Sequence, residues 1–324
     1  MRGQREFKTL PKSSTRSVLH SHVRNVPIKV FMIGNTESND EEIRKWLDHI
    51  GATSYPWPQL ANGDEVVDDE SNVEDGVEPL HVLTGAESII GLAAKRCYLA
   101  FEASLNPNLT RVRKDWSEYF NNILASGHGS VCEHATYNFA IEGVSRVFTG
   151  EMNRHRAGVA ISEGSMRYIR FNDIPWWFPT SLEINDKDGP ILRRKKEKSR
   201  EIFAAAFTFA QDRYIELVEL WDMDNPEADW VKESGEKFSF RLKKILTSCF
   251  RRIIPMGVAT GGVWTINIRA LRHILALRGS IHAEEEIFLV ASQMAKMIVE
   301  KEPRLLGDIV PDENGYLTPK YLKV

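Results

Sequence analysis

Cysteine is scarce in this chain: Cys97, Cys132 and Cys249 are the only three among 324 residues. Three widely spaced cysteines cannot form a disulfide framework, and the simplest inference is a reducing, cytoplasmic compartment. Cys97 and Cys249 fall within apolar helical segments and are predicted to be core residues. Cys132 lies instead in a polar cluster, so contact with a functional site stays open for it.

Long apolar runs are also missing. No stretch approaches the roughly 18–20 residues of a membrane-spanning helix. The formal net charge is -3 and the pI is near 6.3, so no overall charge recruits nucleic acid or a membrane surface. The basic segment Met1–His22 lacks the apolar centre of a secretory signal and is predicted to be a frayed tail, with an organellar transit peptide as the alternative. The sequence therefore predicts a soluble cytoplasmic protein.

An acidic stretch divides the chain. Gly63–Pro79 contains eight acidic residues and no basic ones, without the spaced ligands and turn glycine of a calcium loop, and it is predicted to be a solvated linker. Residues 1–80 then form an N-terminal extension: the basic tail, a strand over Ile28–Asn35, a helix capped by Ser38 or Asn39, and the linker. Residues 81–324 form the main domain.

Hydrophobic periodicity in the main domain predicts a central sheet with flanking helices, the α+β class. Strands are predicted from Ala135 to Gly143 and over Ser165–Phe171. The charged run Arg193–Arg200 is predicted to be the solvated start of a long helix. Seven segments have apolar residues at helical spacing: Ser88–Ala103, Asp115–Gly127, Val144–Arg156, Glu201–Trp221, Phe238–Ile254, Ile266–Gly279 and His282–Lys301.

The segment Arg154–Tyr168 has an unusual density of groups suited to an anion. Arg154-His155-Arg156 is followed after eight residues by Ser165 and then by Arg167. A guanidinium donates to phosphate in a bidentate fork, a serine hydroxyl adds a donor, and Glu163 between them can accept from a ligand N–H. A helix end with cations and surface salt bridges explains the spacing equally well.

Two further clusters are rich in polar groups. His128–His134 (HGSVCEH) suggests substrate or cofactor contacts, local capping, or zinc, although its spacing differs from that of structural zinc sites. The second runs from Asn267 to His282. On a continuous helix Asn267, Arg278 and His282 share one face and Arg269 and His273 another, as in a subunit interface or a solvated amphipathic helix.

Four ordered segments resemble the flavin-dependent thymidylate synthases. They are HGSVCEH, FAIEGVSR, RHRAGVAISEGSMRY, and RRIIP with WTINIRALRHILALRGSIHAEEEI, and together they span roughly Glu87 to Asp308. The family signature is RHR, seven or eight residues, then Ser. The resemblance implies an α+β homotetramer with shared active sites, acting on small nucleotide and folate substrates, with an extra N-terminal segment and long helices here.

The resemblance also implies a role for each matching residue. The catalytic set is Arg278, Ser165 and His128, with Arg278 stabilising charge on the pyrimidine and Ser165 binding phosphate. Cofactor contacts fall on Arg154, His155, Arg156, Ser130, Glu133, Ser162, Glu163, Asn267, Arg269, His273 and His282. Substrate contacts fall on Glu151, Arg154, Glu163, Gly164, Ser165, Arg167, Arg251 and Arg278. No metal is implied.

The implied reaction is reductive methylation of dUMP to dTMP. Methylenetetrahydrofolate donates the carbon, and NADPH reduces FAD, which supplies the hydride. Glu151, Ser162 and His273 depart from residues common in the family, a glutamine and two asparagines, so UMP or a modified pyrimidine is the alternative substrate. A nucleic-acid-binding protein using RHR and Arg193–Arg200, and a metal hydrolase using His128, Glu133 and His134, are alternatives from other classes.

Overall fold

The computed structural model describes residues 24–52, 55, 83–113 and 115–323. The predicted basic tail and acidic linker lie outside these residues. The predicted boundary at residues 80 and 81 stays a prediction. Within the described residues, no helix is both long enough and apolar enough to span a bilayer.

A four-stranded antiparallel sheet forms the centre of the protein. It contains β2 (Lys29–Asn35), β3 (Thr136–Ser145), β6 (Ala259–Asn267) and β4 (Val159–Glu163), hydrogen-bonded in that order. The strand of the predicted N-terminal extension is therefore an edge strand of the main sheet. Four short strands form two further pairs outside this sheet. β1 (Arg24–Asn25) pairs with β5 (Pro175–Trp176), and β7 (Ile309–Pro311) pairs with β8 (Leu317–Pro319).

Alternation along β3 explains its place at the centre of the sheet. Tyr137, Phe139 and Ile141 point to one face and are fully buried, as are Trp264 and Ile266 of β6. The main core gathers on this face, where four helices contribute apolar side chains: residues 85–98, 116–125, 268–278 and 285–301. A period of two therefore fixes which face of the sheet is buried.

Ten described α-helices surround the sheet. They are α1 (Asp40–His49), α2 (Gly85–Tyr98), α3 (Trp116–Ala125), α4 (Arg146–Met152), α5 (Pro190–Leu220), α6 (Asp229–Ser234), α7 (Phe240–Phe250), α8 (Ile268–Arg278), α9 (Glu285–Lys301) and α10 (Pro303–Leu306). Asn39 caps α1 and Asp115 caps α3. A second core joins α5 and α7 to β5, where the rings of Trp176 and Phe207 stack 4.2 Å apart.

The predicted α+β class is confirmed, and so is the charged start of α5, whose residues from Arg193 to Lys195 are exposed. The predicted strand Ser165–Phe171 is wrong. The strand is β4, and it ends at Glu163, because the carbonyl of Ser165 accepts from the amides of Tyr168 and Ile169 and closes a turn.

The predicted start of a helix at Ile266 is also wrong. Strand β6 lies between α7 and α8 and includes Ile266 and Asn267, which were predicted to begin a helix. Its glycines and threonines lack the alternation that marks β3. The prediction for two cysteines fails as well, because Cys97 and Cys249 are exposed and only Cys132 is buried.

Candidate active site

The RHR motif lies on the turn between α4 and β4. The amide of His155 donates to the carbonyl of Met152 at 3.1 Å, and the amide of Val159 donates to that of Arg156 at 3.3 Å. Gly158 has a φ of +70°, and a Cβ there would lie 2.4 Å from the side chain of Asn267. This close approach brings the turn against the beginning of α8.

Arg154, His155 and Arg156 line a cavity of about 500 Å³, here called the RHR cavity. Its other walls come from the polar clusters that sequence analysis singled out. Arg269 donates to Glu133 at 2.6 Å, and the rings of His155 and His273 meet edge to face at 5.7 Å. The predicted cofactor residues that line this cavity are Glu133, Arg154, His155, Arg156, Asn267, Arg269 and His273.

Arg278, at the end of α8, reaches the other side of His155. Its Nε donates to Nε2 of His155 at 3.0 Å, and its guanidinium forms an ion pair with Glu151. Burial, then the charge of Arg278 and then His273, lower the pKa of His155 to about 4, against the opposing effect of Glu151. His155 is therefore neutral near pH 7 and accepts a hydrogen bond rather than supplying a proton.

A second cavity of about 450 Å³, the serine cavity, is lined by Glu163, Gly164, Ser165 and Arg251. Arg146, the first residue of α4, also lines it, forms an ion pair with Glu163 and donates to the carbonyl of Gly164 at 2.7 Å. The carboxylate of Glu163 is therefore already paired with the guanidinium of Arg146. The turn after β4 thus presents the hydroxyl of Ser165 beside two guanidinium groups.

A chain of hydrogen bonds ties the serine cavity to the sheet. Asn153 donates to Glu163 at 2.8 Å, and the indole of Trp264 donates to Asn153 at 3.3 Å. Helix α4 spans the distance between the two cavities, with Arg146 at its start and Glu151 near its end. Ser145 caps α4, and both its amide and its hydroxyl donate to Glu286 of α9.

Sequence reasoning missed Arg146. Its Nε is buried without a hydrogen-bond partner among the described residues, and burial followed by the charge of Arg251 lowers its pKa. Two neighbouring cations of this kind suit a phosphate dianion. The signal was present, because Arg146 closes the FAIEGVSR segment, but one arginine after a strand is not distinctive.

His128 and Ser130 line a third cavity, of about 650 Å³, here called the lysine cavity after Lys95 in its wall. Arg269 lines both this cavity and the RHR cavity, so the two are neighbours. The clusters from His128 and from Asn267 therefore meet, as the resemblance implied.

Some predicted site residues lie elsewhere. Ser162, Arg167 and His282 are described and exposed, and none of the three belongs to the walls of these three cavities. Asn267 caps α8 and His282 follows its end, so the prediction that they share a helix face with Arg278 is wrong. Across the described ranges, no three His, Cys, Asp or Glu residues gather in a way that could hold a metal ion.

Comparison with known proteins identifies the family to which this chain belongs. The sequence profile of the family described as thymidylate synthase complementing protein matches residues 80–304. The chain is 30% identical over 227 residues to the flavin-dependent thymidylate synthase of Mycobacterium marinum, covering 69% of this chain and 80% of the relative. It is 29% identical to the probable flavin-dependent thymidylate synthase of Mycobacterium phage D29, covering 82% and 97%.

A solved structure shares the fold. It is described as a UMP/dUMP methylase, PolB from Streptomyces cacaoi, bound with 5-Br UMP. The TM-score is 0.52 at 16% sequence identity, and the match covers 88% of this chain and 95% of that chain. The family profile covers more than half of the chain and includes every one of the three cavities. The chain belongs to the thymidylate synthase complementing protein family, whose curated relatives are flavin-dependent thymidylate synthases.

Proposed function

We propose that the protein catalyses reductive methylation of dUMP to dTMP, with methylenetetrahydrofolate as carbon donor and NADPH as reductant of bound FAD. The observation that carries the proposal is the placement of the RHR and serine cavities at the two ends of α4. Family membership and the names of the relatives support the same chemistry.

The RHR cavity fits a flavin dinucleotide by its donor set. Arg154, Arg156 and Arg269 offer guanidinium groups to a diphosphate, and His155 and His273 offer ring edges to a planar group. When bound and reduced, FAD supplies the hydride that converts the transferred carbon to a methyl group. Glu133 and Asn267 complete the cofactor wall. Four residues outside this cavity are assigned to the same cofactor from the family resemblance alone: Ser130, Ser162, Glu163 and His282.

The serine cavity fits the nucleotide phosphate. The hydroxyl of Ser165 offers a neutral donor, while Arg146 and Arg251 offer positive charge. Gly164 lines the same cavity, but its amide already donates to the carbonyl of Gly261 at 2.9 Å. Arg167 is exposed two residues after Ser165, and we assign it to the same phosphate. Arg278 is assigned to the pyrimidine carbonyls, where it stabilises negative charge that develops on the ring. Arg154 completes the nucleotide contacts, and Glu151 lies at the nucleotide position as the ion-pair partner of Arg278. His128 is assigned to the folate side.

With these assignments of residues to cofactor and nucleotide, the proposed reaction needs no cysteine nucleophile. Cys132 is buried in the main core, and burial raises the pKa of its thiol to about 11. Cys249 is exposed on α7. A homotetramer with shared sites belongs to the proposal, and light scattering of the purified protein tests it.

Absorbance spectroscopy tests the proposal. Purified protein reconstituted with FAD is expected to show a flavin spectrum that bleaches with NADPH under anaerobic conditions, and to form dTMP from dUMP and methylenetetrahydrofolate. A protein that binds no FAD, or that bleaches but forms no methylated nucleotide, contradicts the proposal.

A second candidate keeps the chemistry and changes the substrate to UMP or a modified pyrimidine nucleotide. The ion pair between Glu151 and Arg278 favours it, because a carboxylate there changes how the arginine meets a nucleotide. Turnover of dUMP and UMP at equal concentration separates the two candidates.

A further inference from the structure

The lysine cavity adjoins the RHR cavity but has a wall of its own. The C-terminal end of α2, the segment 108–113, α3 and the turn at His128 enclose about 650 Å³. Arg269 is the residue that both cavities share. A ligand in the lysine cavity therefore lies directly beside the proposed flavin site.

Lys95 is a buried cation in this wall, 1% exposed. Its ammonium donates to the carbonyls of Arg113 at 2.9 Å and Ala100 at 3.4 Å. It also faces three aromatic rings at 4.5–5.2 Å, those of Tyr55, Trp116 and Tyr119. No carboxylate in the described part of the chain lies within ion-pair distance of this ammonium.

Within the part of the chain that the structure describes, no anion compensates the charge on Lys95. Burial, followed by the like charge of Arg113, lowers its pKa to about 8. Carbonyl dipoles and ring faces stabilise an ammonium, but less than an anion does at close range. An anionic group entering the cavity gains most at this position.

The rest of the wall has the same sign. Arg111 and Arg113 lie at the cavity rim, where both pair with Glu118 outside it. Among the described residues that line the cavity, none is acidic. The cavity thus combines Lys95 with three arginines, of which Arg111 and Arg113 share Glu118 and Arg269 pairs with Glu133.

The same cavity offers a flat aromatic surface. The rings of Tyr98 and His128 stack with centroids 6.2 Å apart and planes 23° apart, and Tyr98 is 53% exposed. An aromatic surface beside a cationic wall is suited to a ligand that has both a ring system and negative groups.

We infer that the lysine cavity binds the anionic tail of a ring-bearing co-substrate, with Lys95, Arg111 and Arg113 against its carboxylates or phosphates. The inference rests on the proposed function, whose two co-substrates both have this character. A folate carries glutamate carboxylates, and NADPH carries a 2′-phosphate.

Calorimetry on the FAD-loaded protein tests the inference with two ligand pairs. Pteroylpentaglutamate is compared with pteroylmonoglutamate, and NADP⁺ with NAD⁺. In the unsubstituted protein the more anionic member of at least one pair is expected to bind roughly tenfold more tightly. Arg113→Gln and Lys95→Met should each bring that ratio close to one, because each weakens binding of the more anionic member more than binding of the less anionic one. Arg213→Gln, an exposed arginine on α5, is the matched control and should leave the ratio unchanged.

Each outcome decides the inference. Loss of the folate ratio identifies the glutamate tail, and loss of the dinucleotide ratio identifies the 2′-phosphate; both support it. Ratios near one in the unsubstituted protein, or ratios unchanged in both variants, overturn it. If circular dichroism shows that Lys95→Met is unfolded, Arg113→Gln alone decides. Falling ratios in a protein that forms no dTMP leave the anion subsite standing while the proposed function fails.

Discussion

Glu151 is the ion-pair partner of Arg278. Its carboxylate pairs with the guanidinium, and Arg278 in turn donates to His155. A pyrimidine carbonyl at Arg278 must share or replace that carboxylate. The side chain of Glu151 is 29% exposed, so the pair sits where a ligand can reach it.

Glu151→Gln is expected to tighten dUMP binding by roughly three- to tenfold, because a neutral amide holds Arg278 less strongly and leaves its guanidinium free for the pyrimidine carbonyl. Calorimetric titration with dUMP measures the change. Glu219→Gln on α5, an exposed carboxylate, serves as the control. Equal or weaker dUMP binding in Glu151→Gln contradicts the competition between Glu151 and the nucleotide.

Ser165→Ala is expected to raise KM for dUMP by roughly three- to tenfold and to leave kcat nearly unchanged. A neutral hydroxyl that binds phosphate contributes about 1 kcal/mol, whereas a nucleophile cannot be removed without loss of turnover. Steady-state assays over a range of dUMP concentrations distinguish the two. Loss of kcat with unchanged nucleotide affinity contradicts the assignment to phosphate.

Which polar residues lie together in one cavity was predictable from the sequence where several of them cluster. Arg154–Arg156, Asn267, Arg269 and His273 meet in one cavity, as their resemblance to a known family implied. Arg146 was not, because its importance comes from Glu163 and Arg251, which are distant in sequence. Burial that depends on tertiary contacts leaves no local signal.

At the scale of elements, the end of β3 positions α4. Gly143 has a φ of +72° at a bulge where the pairing register with β6 shifts, and a Cβ there would lie 2.1 Å from the carbonyl oxygen of Pro27. Only glycine fits this conformation and this approach without strain. The bulge therefore sets the direction in which the chain enters α4.

Gly143→Ala is expected to lower the free energy of unfolding by at least about 2 kcal/mol, through the left-handed backbone and the collision with Pro27. Gly150→Ala is its matched control, because Gly150 lies within α4 and a Cβ there meets nothing within 4 Å. That control should gain about 0.5–1 kcal/mol from helix propensity. Urea denaturation of both variants is the measurement, and equal effects refute the role of the bulge.

Element types were predicted well where the periodicity was strong, as in β3, α1 and α9. They were predicted poorly around β4 and β6. In β6 the glycines at 261 and 262 let Glu142 and the β4 backbone approach closely, so long-range pairing rather than local pattern makes it a strand. The prediction of a strand at Ser165 was wrong because the amides of Tyr168 and Ile169 donate to the carbonyl of Ser165 in a turn, so these groups are not available for pairing in a sheet.

Across the whole molecule, buried carboxylates join distant parts of the chain. Glu302, at the end of α9, accepts hydrogen bonds from Thr84 at 2.6 Å and from the hydroxyl of Tyr137. Glu286 joins the start of the same helix to Ser145. Burial raises the pKa of both carboxyl groups to about 7.

These raised pKa values predict the direction of pH dependence. Folded Glu302 keeps its proton up to about pH 7, whereas the unfolded carboxyl loses it near 4.5, so the folded state binds more protons between these values. The contribution is fully present below about pH 4.5 and is lost as pH rises through 7. Stability from this group therefore falls across that window.

Glu302→Gln is expected to reduce this fall by roughly 2–3 kcal/mol between about pH 5 and pH 8, because an amide stays neutral throughout. Urea denaturation at fixed protein concentration and several pH values is the measurement. Glu300→Gln, exposed on the same helix, is the control and should keep the slope of the unsubstituted protein. Identical slopes in both variants contradict the assignment.

The position of β6 in the sheet constrains how the protein is made. β6 pairs with both β3 and β4, yet it follows them in the chain, so both emerge from the ribosome before the strand that joins them. Until Asn267 has been synthesised, the edge of β3 that pairs with β6 has no partner strand. The RHR turn also lacks the side chain of Asn267, against which Gly158 packs. The RHR cavity is therefore completed late in translation, and a chain released before β6 lacks the wall that Asn267, Arg269 and His273 supply.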